Sequence, residues 1–433
     1  MSSQQTIENL ASFIQQSTTP YHAVKSMAAK LIQAGFRELD ESQSWQLSPG
    51  GKYYTTRNDS SIVAWQMPVS KSVEESGFRM IGAHTDSPCL KVKPNPEIVG
   101  NGYVQLGVQV YGGVLLAPWF DRDLSLAGRV SFLDDLGNVR SHLLDLKKAI
   151  AIVPNLAIHL NREANTGQNI NAQTMMAPIL GQAEAAGEKP DFDLKVFLKA
   201  HLIDQGVNVE KVLDFDLSFY DVQAPATVGL NDEFFASARL DNLLSCFMGL
   251  QALLETDSQE GLLLVCNDHE EVGSMSAAGA QGPMLEQVLA RITDSNEQNT
   301  RMLANSMMIS ADNAHGIHPN FAAMHDSNHG PILNAGPVIK INANQRYATN
   351  DVTSAMFRHY AEQVGAQVQV FVIRADMGCG STIGPITASE LGVKTLDIGV
   401  PQFAMHSIRE LSGTKDVQST IDIFKYYLKQ ARV

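Results

Sequence analysis

From about residue 230 the chain alternates short, unbroken apolar runs with longer amphipathic stretches. "GLLLVCND" (261–268), "SMMISADN" (306–313), "VQVFVIRAD" (368–376) and "VKTLDIGVP" (393–401) read as strands. A strand that is apolar at every position has both faces covered, as happens in a mostly parallel sheet with helices on each side. The intervening segments have helical spacing: "FFASARLDNLLSCFMGLQALLET" (234–256), "NDVTSAMFRHYAEQVG" (350–365) and 416–431, where Val417, Ile421, Phe424 and Leu428 share one face. Two earlier runs, "SIVAW" (61–65) and "FRMIGAH" (78–84), belong to the same texture, after a helix that Thr19 and Pro20 start and Gly35 stops. Residues 93–225 differ, being rich in β-type residues and punctuated by glycine, with a hairpin expected at Asp135–Gly137, a polar loop at 184–193 and a strand at 212–223. The expected fold class is therefore α/β: a mostly parallel mixed sheet sandwiched by helices, formed by residues 1–92 and 226–433, with 93–225 inserted as a β-rich domain.

Charge narrows the partners. Lys and Arg number 32 against 46 Asp and Glu, a net charge of −14. That balance argues against nucleic acid and anionic membranes. Cys89, Cys246, Cys266 and Cys379 are scattered without a C-x-x-C pair, as in reduced compartments. The first residues, "MSSQQTIENLASFIQQ", lack the basic and apolar regions of a secretion signal, and no run approaches 18 apolar residues. A cytoplasmic protein with no membrane span is expected.

In open α/β sheets ligands gather at the carboxyl ends of strands. Here "FRMIGA" is followed by His84 and Asp86, "LLLVCND" by His269, Glu270 and Glu271, "SMMISA" by Asp312, Asn313 and His315, and "VKTLDIGVPQFAM" by His406. "ARLDN" places Asp241 near the start of a long helix. Taken singly, each has an ordinary use as a cap or polar turn. Their recurrence at separate strand ends points to a metal site. Imidazole and carboxylate without thiolate suit Zn²⁺, Mn²⁺ or Co²⁺. Two His and three carboxylates exceed what one catalytic zinc takes, and fit two ions about 3.5–4 Å apart sharing a carboxylate. Glu270, beside Glu271, is then the spare carboxylate for a general base.

The segments "GAHTDSP", "ARLDN", "DHEEVGS", "SADNAHGIHPN", "GPVIKINANQRYATN", "GCGSTIGPI" and "PQFAMHSIRE" occur in order over residues 82–410. Together they resemble the aspartyl aminopeptidase family of dinuclear zinc exopeptidases. The resemblance implies His84, Asp241, Glu271, Asp312 and His406 as ligands of two Zn²⁺ per subunit, with Asp241 bridging, Glu270 as base and Asp86 orienting His84. It implies that "VPNLAIHLNRE" (153–163) is a lid segment carrying His159 toward a neighbouring subunit, where it meets substrate or a metal. It also implies peptide substrates and a homo-oligomer of twelve subunits, with the insertion making dimer contacts.

An acidic first residue in the substrate needs a fixed cation. Lys340, Arg346 and Arg374 are candidates, and Tyr347 and His315 match positions near the family's substrate pocket. "DMGCG" (376–380) departs from the family's eukaryotic pattern beside that pocket. Two other readings stay open: a relative with neutral or apolar specificity, or a metal-dependent deacylase or carboxypeptidase, for which Arg162 near His159 offers a carboxylate anchor. A non-catalytic binding protein would have lost Glu270 or a ligand, and all six residues are present.

Overall fold

Phe78–His84, Gly261–Asn267 and Met307–Ala311 are buried at every position. Their alternate side chains enter two different cores. Ile81, Leu262, Leu264 and Ile309 join one, while Met80, Leu263, Val265 and Met308 join the other. This is the period of two expected of a sheet covered on both faces. The computed structural model describes residues 3–183 and 192–433, so most of the polar loop expected at 184–193 lies outside the described residues. Two units are present. One comprises the chain up to Ser87, Pro225–Met405 and Glu410–Val433, and the other Pro88–Ala224 with His406–Arg409.

The first unit is built on a nine-stranded sheet. Its strands are β1 (Arg37–Glu38), β2 (Lys52–Arg57), β3 (Ser61–Gln66), β4 (Phe78–His84), β5 (Gly261–Asn267), β6 (Met307–Ala311), β7 (Val338–Ile341), β8 (Gln369–Val372) and β9 (Lys394–Gly399). They lie in the order β1-β2-β3-β5-β4-β6-β9-β7-β8. The run β5-β4-β6-β9 is parallel throughout, which brings four carboxyl ends to one edge. Against one face pack α1 (Ser3–Gln16), α2 (Pro20–Gln33), α3 (Leu240–Glu255) and the C-terminal helix Thr414–Leu428; against the other lies Met284–Ile292. Pro20 opens α2 as expected, but the Thr19 hydroxyl bonds His22 Nδ1 (2.8 Å) instead of capping the backbone.

A second sheet of five short strands completes this unit: Ala226–Val228, Phe234–Ser237, Glu410–Gly413, Pro401–Phe403 and Ala314–His315. It corrects the expectation of one helix over 234–256. Phe234–Ser237 pairs antiparallel with Glu410–Gly413, and α3 begins at Leu240. A tertiary partner about 170 residues away outweighed the local helical pattern there.

One anchor ties this unit together at the opposite end from the carboxyl edge. The buried Tyr427 hydroxyl, on the C-terminal helix, accepts the Met80 N–H of β4 (3.0 Å) and donates to the Met307 carbonyl of β6. The fully buried Arg79 guanidinium donates to the Gln430 carbonyl (2.6 Å) and to Ser76.

The other unit is an antiparallel six-stranded sheet in the order Val139–Asp145, Leu124–Leu133, Lys211–Asp221, Cys89–Gly100, Tyr103–Tyr111, Ile179–Gln182. The helix Leu194–Asp204, capped by the Asp193 carboxylate, buries Leu194, Leu198 and Leu202. The hairpin at 134–138 forms as expected, with the Asp134 carboxylate accepting from Leu136 and Asn138 N–H and Gly137 at φ +75°. His159 lies on an exposed loop of this unit with Leu156, Ile158 and Leu160 exposed beside it. Among the described residues, no helix is long and apolar enough to cross a membrane.

Candidate metal centre

The register places His84, last residue of β4, opposite Asn267, last residue of β5, while β6 ends one residue before Asp312. Parallel pairing therefore delivers the imidazole, the 268–271 turn and Asp312 to one edge. Gly399 at the end of β9 is required there, because a Cβ would stand 1.9 Å from the Asp312 carbonyl. Asp241 enters from the start of α3, where Arg239 is left-handed (φ +58°) and Asp241 and Asn242 depart from helical angles across a cis peptide bond. The Asn242 amide donates to the Ala311 carbonyl (2.9 Å), and Ser87 Oγ donates to the Asp241 carbonyl (2.5 Å).

His84 is 1% exposed and Asp241 3%. His84 Nε2 faces Asp241 Oδ1 (3.3 Å) and Asp312 Oδ1 (3.6 Å), and Nδ1 faces the Asp86 carboxylate (3.3 Å) and carbonyl (3.1 Å). Asp86 does more than orient the imidazole. Its Oδ1 accepts the Glu270 N–H and its Oδ2 the Glu271 N–H, both at 3.1 Å. One buried carboxylate thus fixes the imidazole and the turn that carries both glutamates. Ligand atoms of His84, Asp241 and Asp312 lie within 4.8 Å of one another, as do those of His84, Glu270 and Glu271.

So many carboxylates in one buried place perturb each other. Burial first, then the charges of Asp312, Asp241 and Asp86, push Glu270 up to about 7 against the pull of His84. Burial and the Asp241 charge raise Glu271 well above the usual range. For His84 burial acts downward, but hydrogen bonds to Asp241, Asp312 and Asp86 raise it well above an ordinary imidazole. An imidazole and clustered carboxylates without thiolate form a donor set suited to zinc-type divalent ions.

The other residues singled out from sequence have contacts of their own. Lys340 is 3% exposed, pairs with Asp312 Oδ2 (3.2 Å) and lies over the buried Tyr347 ring (5.4 Å). Arg346 is exposed and anchored through Nε to the Cys379 carbonyl (3.2 Å). Arg374 is held by both oxygens of Asp376 (2.9 and 2.6 Å). His315 is exposed, edge-on to Phe371. His406 belongs to the other unit, where its Nδ1 lies 3.1 Å from the Gly113 carbonyl. Asp397 escaped the sequence reading although an acid inside the apolar run "VKTLDIGVP" was its signal. Buried in β9, it accepts from Ala348 N–H and Thr382 Oγ1, both at 2.6 Å, joining the Arg346–Tyr347 segment to the one after Cys379. Gly384 leaves room for it, since a Cβ there would lie 2.3 Å from both its oxygens.

The sequence pattern described as "Aminopeptidase I zinc metalloprotease (M18)" matches residues 13–428. The chain belongs to the M18 family. A "Probable M18 family aminopeptidase 2" from Pseudomonas aeruginosa is 58% identical to it over 417 residues, 96% of each chain. Among solved structures, the cryo-EM structure of the Ape4 and Nbr1 complex superposes with a TM-score of 0.94 at 36% identity, covering 98% of this chain and 86% of that one. The S. cerevesiae mApe1 dodecamer gives 0.84 at 30% identity, covering 98% and 96%. The M18 chain is thus a zinc-dependent aminopeptidase with the α/β fold expected from its sequence.

Proposed function

We propose that this M18 aminopeptidase releases N-terminal Asp or Glu from peptides at a centre of two divalent ions held by His84, Asp241, Glu271, Asp312 and His406, with Asp241 shared. The observation that carries the reading is the buried thiolate-free donor set around His84, with Glu270 on a turn that Asp86 anchors. The role of His406, a residue of the other unit, rests on the resemblance of "PQFAMHSIRE".

Such ions supply Lewis acidity that polarises a carbonyl and acidifies water. Asp86 holds the proton on His84 Nδ1, which leaves the Nε2 lone pair for ligation. Close to cations Glu270 begins ionised. It takes a proton from the attacking water and passes it to the leaving amine. His315, or His159 from another subunit, donates a hydrogen bond to the developing oxyanion.

The inserted unit acts as lid and dimerisation element in this reading. Leu156, Ile158 and Leu160 are 57%, 47% and 76% exposed around His159, an apolar cluster suited to burial against another subunit. A twelve-subunit assembly follows the mApe1 dodecamer. Titration of the metal-free protein with Zn²⁺ should saturate at two equivalents per chain, both for the wild type and for His159→Ala, with the variant losing activity. Saturation of the wild type at one equivalent contradicts the shared Asp241, and loss of one equivalent in the variant makes His159 a ligand.

Acidic specificity rests on Arg346. Lys340 already serves Asp312 and Arg374 serves Asp376, whereas Arg346 is exposed on a segment that Asp397 fixes. On a panel of dipeptides, Asp and Glu substrates should lead in kcat/KM. Arg346→Ala should lower that lead by about tenfold, a charge-assisted contact of 1–2 kcal/mol. A panel led by Leu would favour the neutral-specificity reading.

A further inference from the structure

"PQFAMHSIRE" contains two polar residues that the chemistry above does not use, Gln402 and Glu410. Both are 2% exposed, as is Asn313 beside Asp312. Glu410 Oε2 accepts the backbone N–H of Asp241 (3.0 Å), and its Oε1 accepts from Gln402 Nε2 (3.4 Å). The Gln402 side-chain oxygen, Oε1, in turn accepts from the Asn313 side-chain amide, Nδ2. The five-stranded sheet sets this register: Ser237 pairs with Glu410 four residues before Asp241, and His315 pairs with Gln402 two residues after Asn313.

We propose that Glu410 and Gln402 are positioning residues, a buried relay that fixes the separation of Asp241 and Asp312 and so sets the affinity for the second divalent ion. This rests on the reading of both aspartates as ligands. A carboxylate accepting a backbone N–H is a charge-assisted contact, stronger than a neutral one. It acts at the non-helical residues that open α3, the end of a helix where the first N–H groups lack intrahelical acceptors.

The test is titration of the metal-free full-length protein with Zn²⁺ alone, followed calorimetrically, beside steady-state kinetics. Glu410→Ala should weaken the second equivalent by about 10–100-fold, the usual effect of removing a ligand's supporting partner. kcat at limiting Zn²⁺ should fall in parallel, while excess Zn²⁺ restores most of it and KM stays within about twofold. Glu410→Gln matches the native volume and keeps an oxygen acceptor, so it should fold where the alanine variant does not and lie between it and the wild type. Wild-type affinity in the folded variants, with only a lower Tm, overturns the inference. Asp241→Asn separates the two layers. If it binds both ions normally, the ligand reading falls and takes the relay with it. If it is impaired while the Glu410 variants are not, the relay alone falls.

Discussion

Glu270→Gln should lower kcat by about 10²–10⁴-fold, the usual contribution of a general base, while the protein still takes up its full complement of Zn²⁺. The substitution keeps the volume of the side chain and leaves the backbone N–H that Asp86 holds untouched. What it removes is the ability to accept and return a proton. Metal uptake by calorimetry and kcat on an N-terminal Asp or Glu dipeptide check the two halves separately. A kcat within tenfold of wild type would remove Glu270 from the proton path, and loss of an ion would recast it as a ligand.

Asp86→Ala should be nearly as damaging by a different route. Removing the partner of a ligating imidazole costs about 10–100-fold in metal affinity or activity on its own. Here the same carboxylate also accepts the N–H groups of Glu270 and Glu271. Leaving a buried donor unsatisfied costs about 1–3 kcal/mol, so the turn should relax into another conformation. The expected result is weaker Zn²⁺ binding together with a kcat loss that excess Zn²⁺ does not repair, because the base is displaced as well. Asp86→Asn should behave similarly, since one of its two positions then presents a donor to a donor. Full recovery in excess Zn²⁺ would reduce Asp86 to its contact with His84.

These two residues also mark what the sequence made legible. His84 and Asp312 could be found because strands buried on both faces appear as continuous apolar runs, and chemistry placed at their carboxyl ends stands out. Asp86 was legible as a neighbour of His84, but its grip on residues 270 and 271 comes from β5 lying beside β4, a pairing across more than 170 residues. Glu410 and Gln402 were quoted in a motif yet had no visible purpose, because their partners are fixed by the five-stranded sheet. That sheet was itself hidden, as its strand Phe234–Ser237 continues smoothly into a helical pattern. Lys340 illustrates the reverse. Offered from the sequence as a cation for an acidic substrate, it lies in "VIKI", and those apolar neighbours were an unused sign that its ammonium is buried beside Asp312.

The Tyr427 hydroxyl has a mechanical role in this arrangement. It binds β4 at Met80 and β6 at Met307, four residues below His84 and five below Asp312. At about 3.3 Å per residue these are rigid struts of roughly 13 and 17 Å. A strand neither stretches nor slips by a fraction of a residue, because its ladder bonds and alternating faces allow only whole steps. One phenol on the last helix therefore acts as a common footing, and the height of an imidazole relative to a carboxylate is levelled from the far side of the sheet.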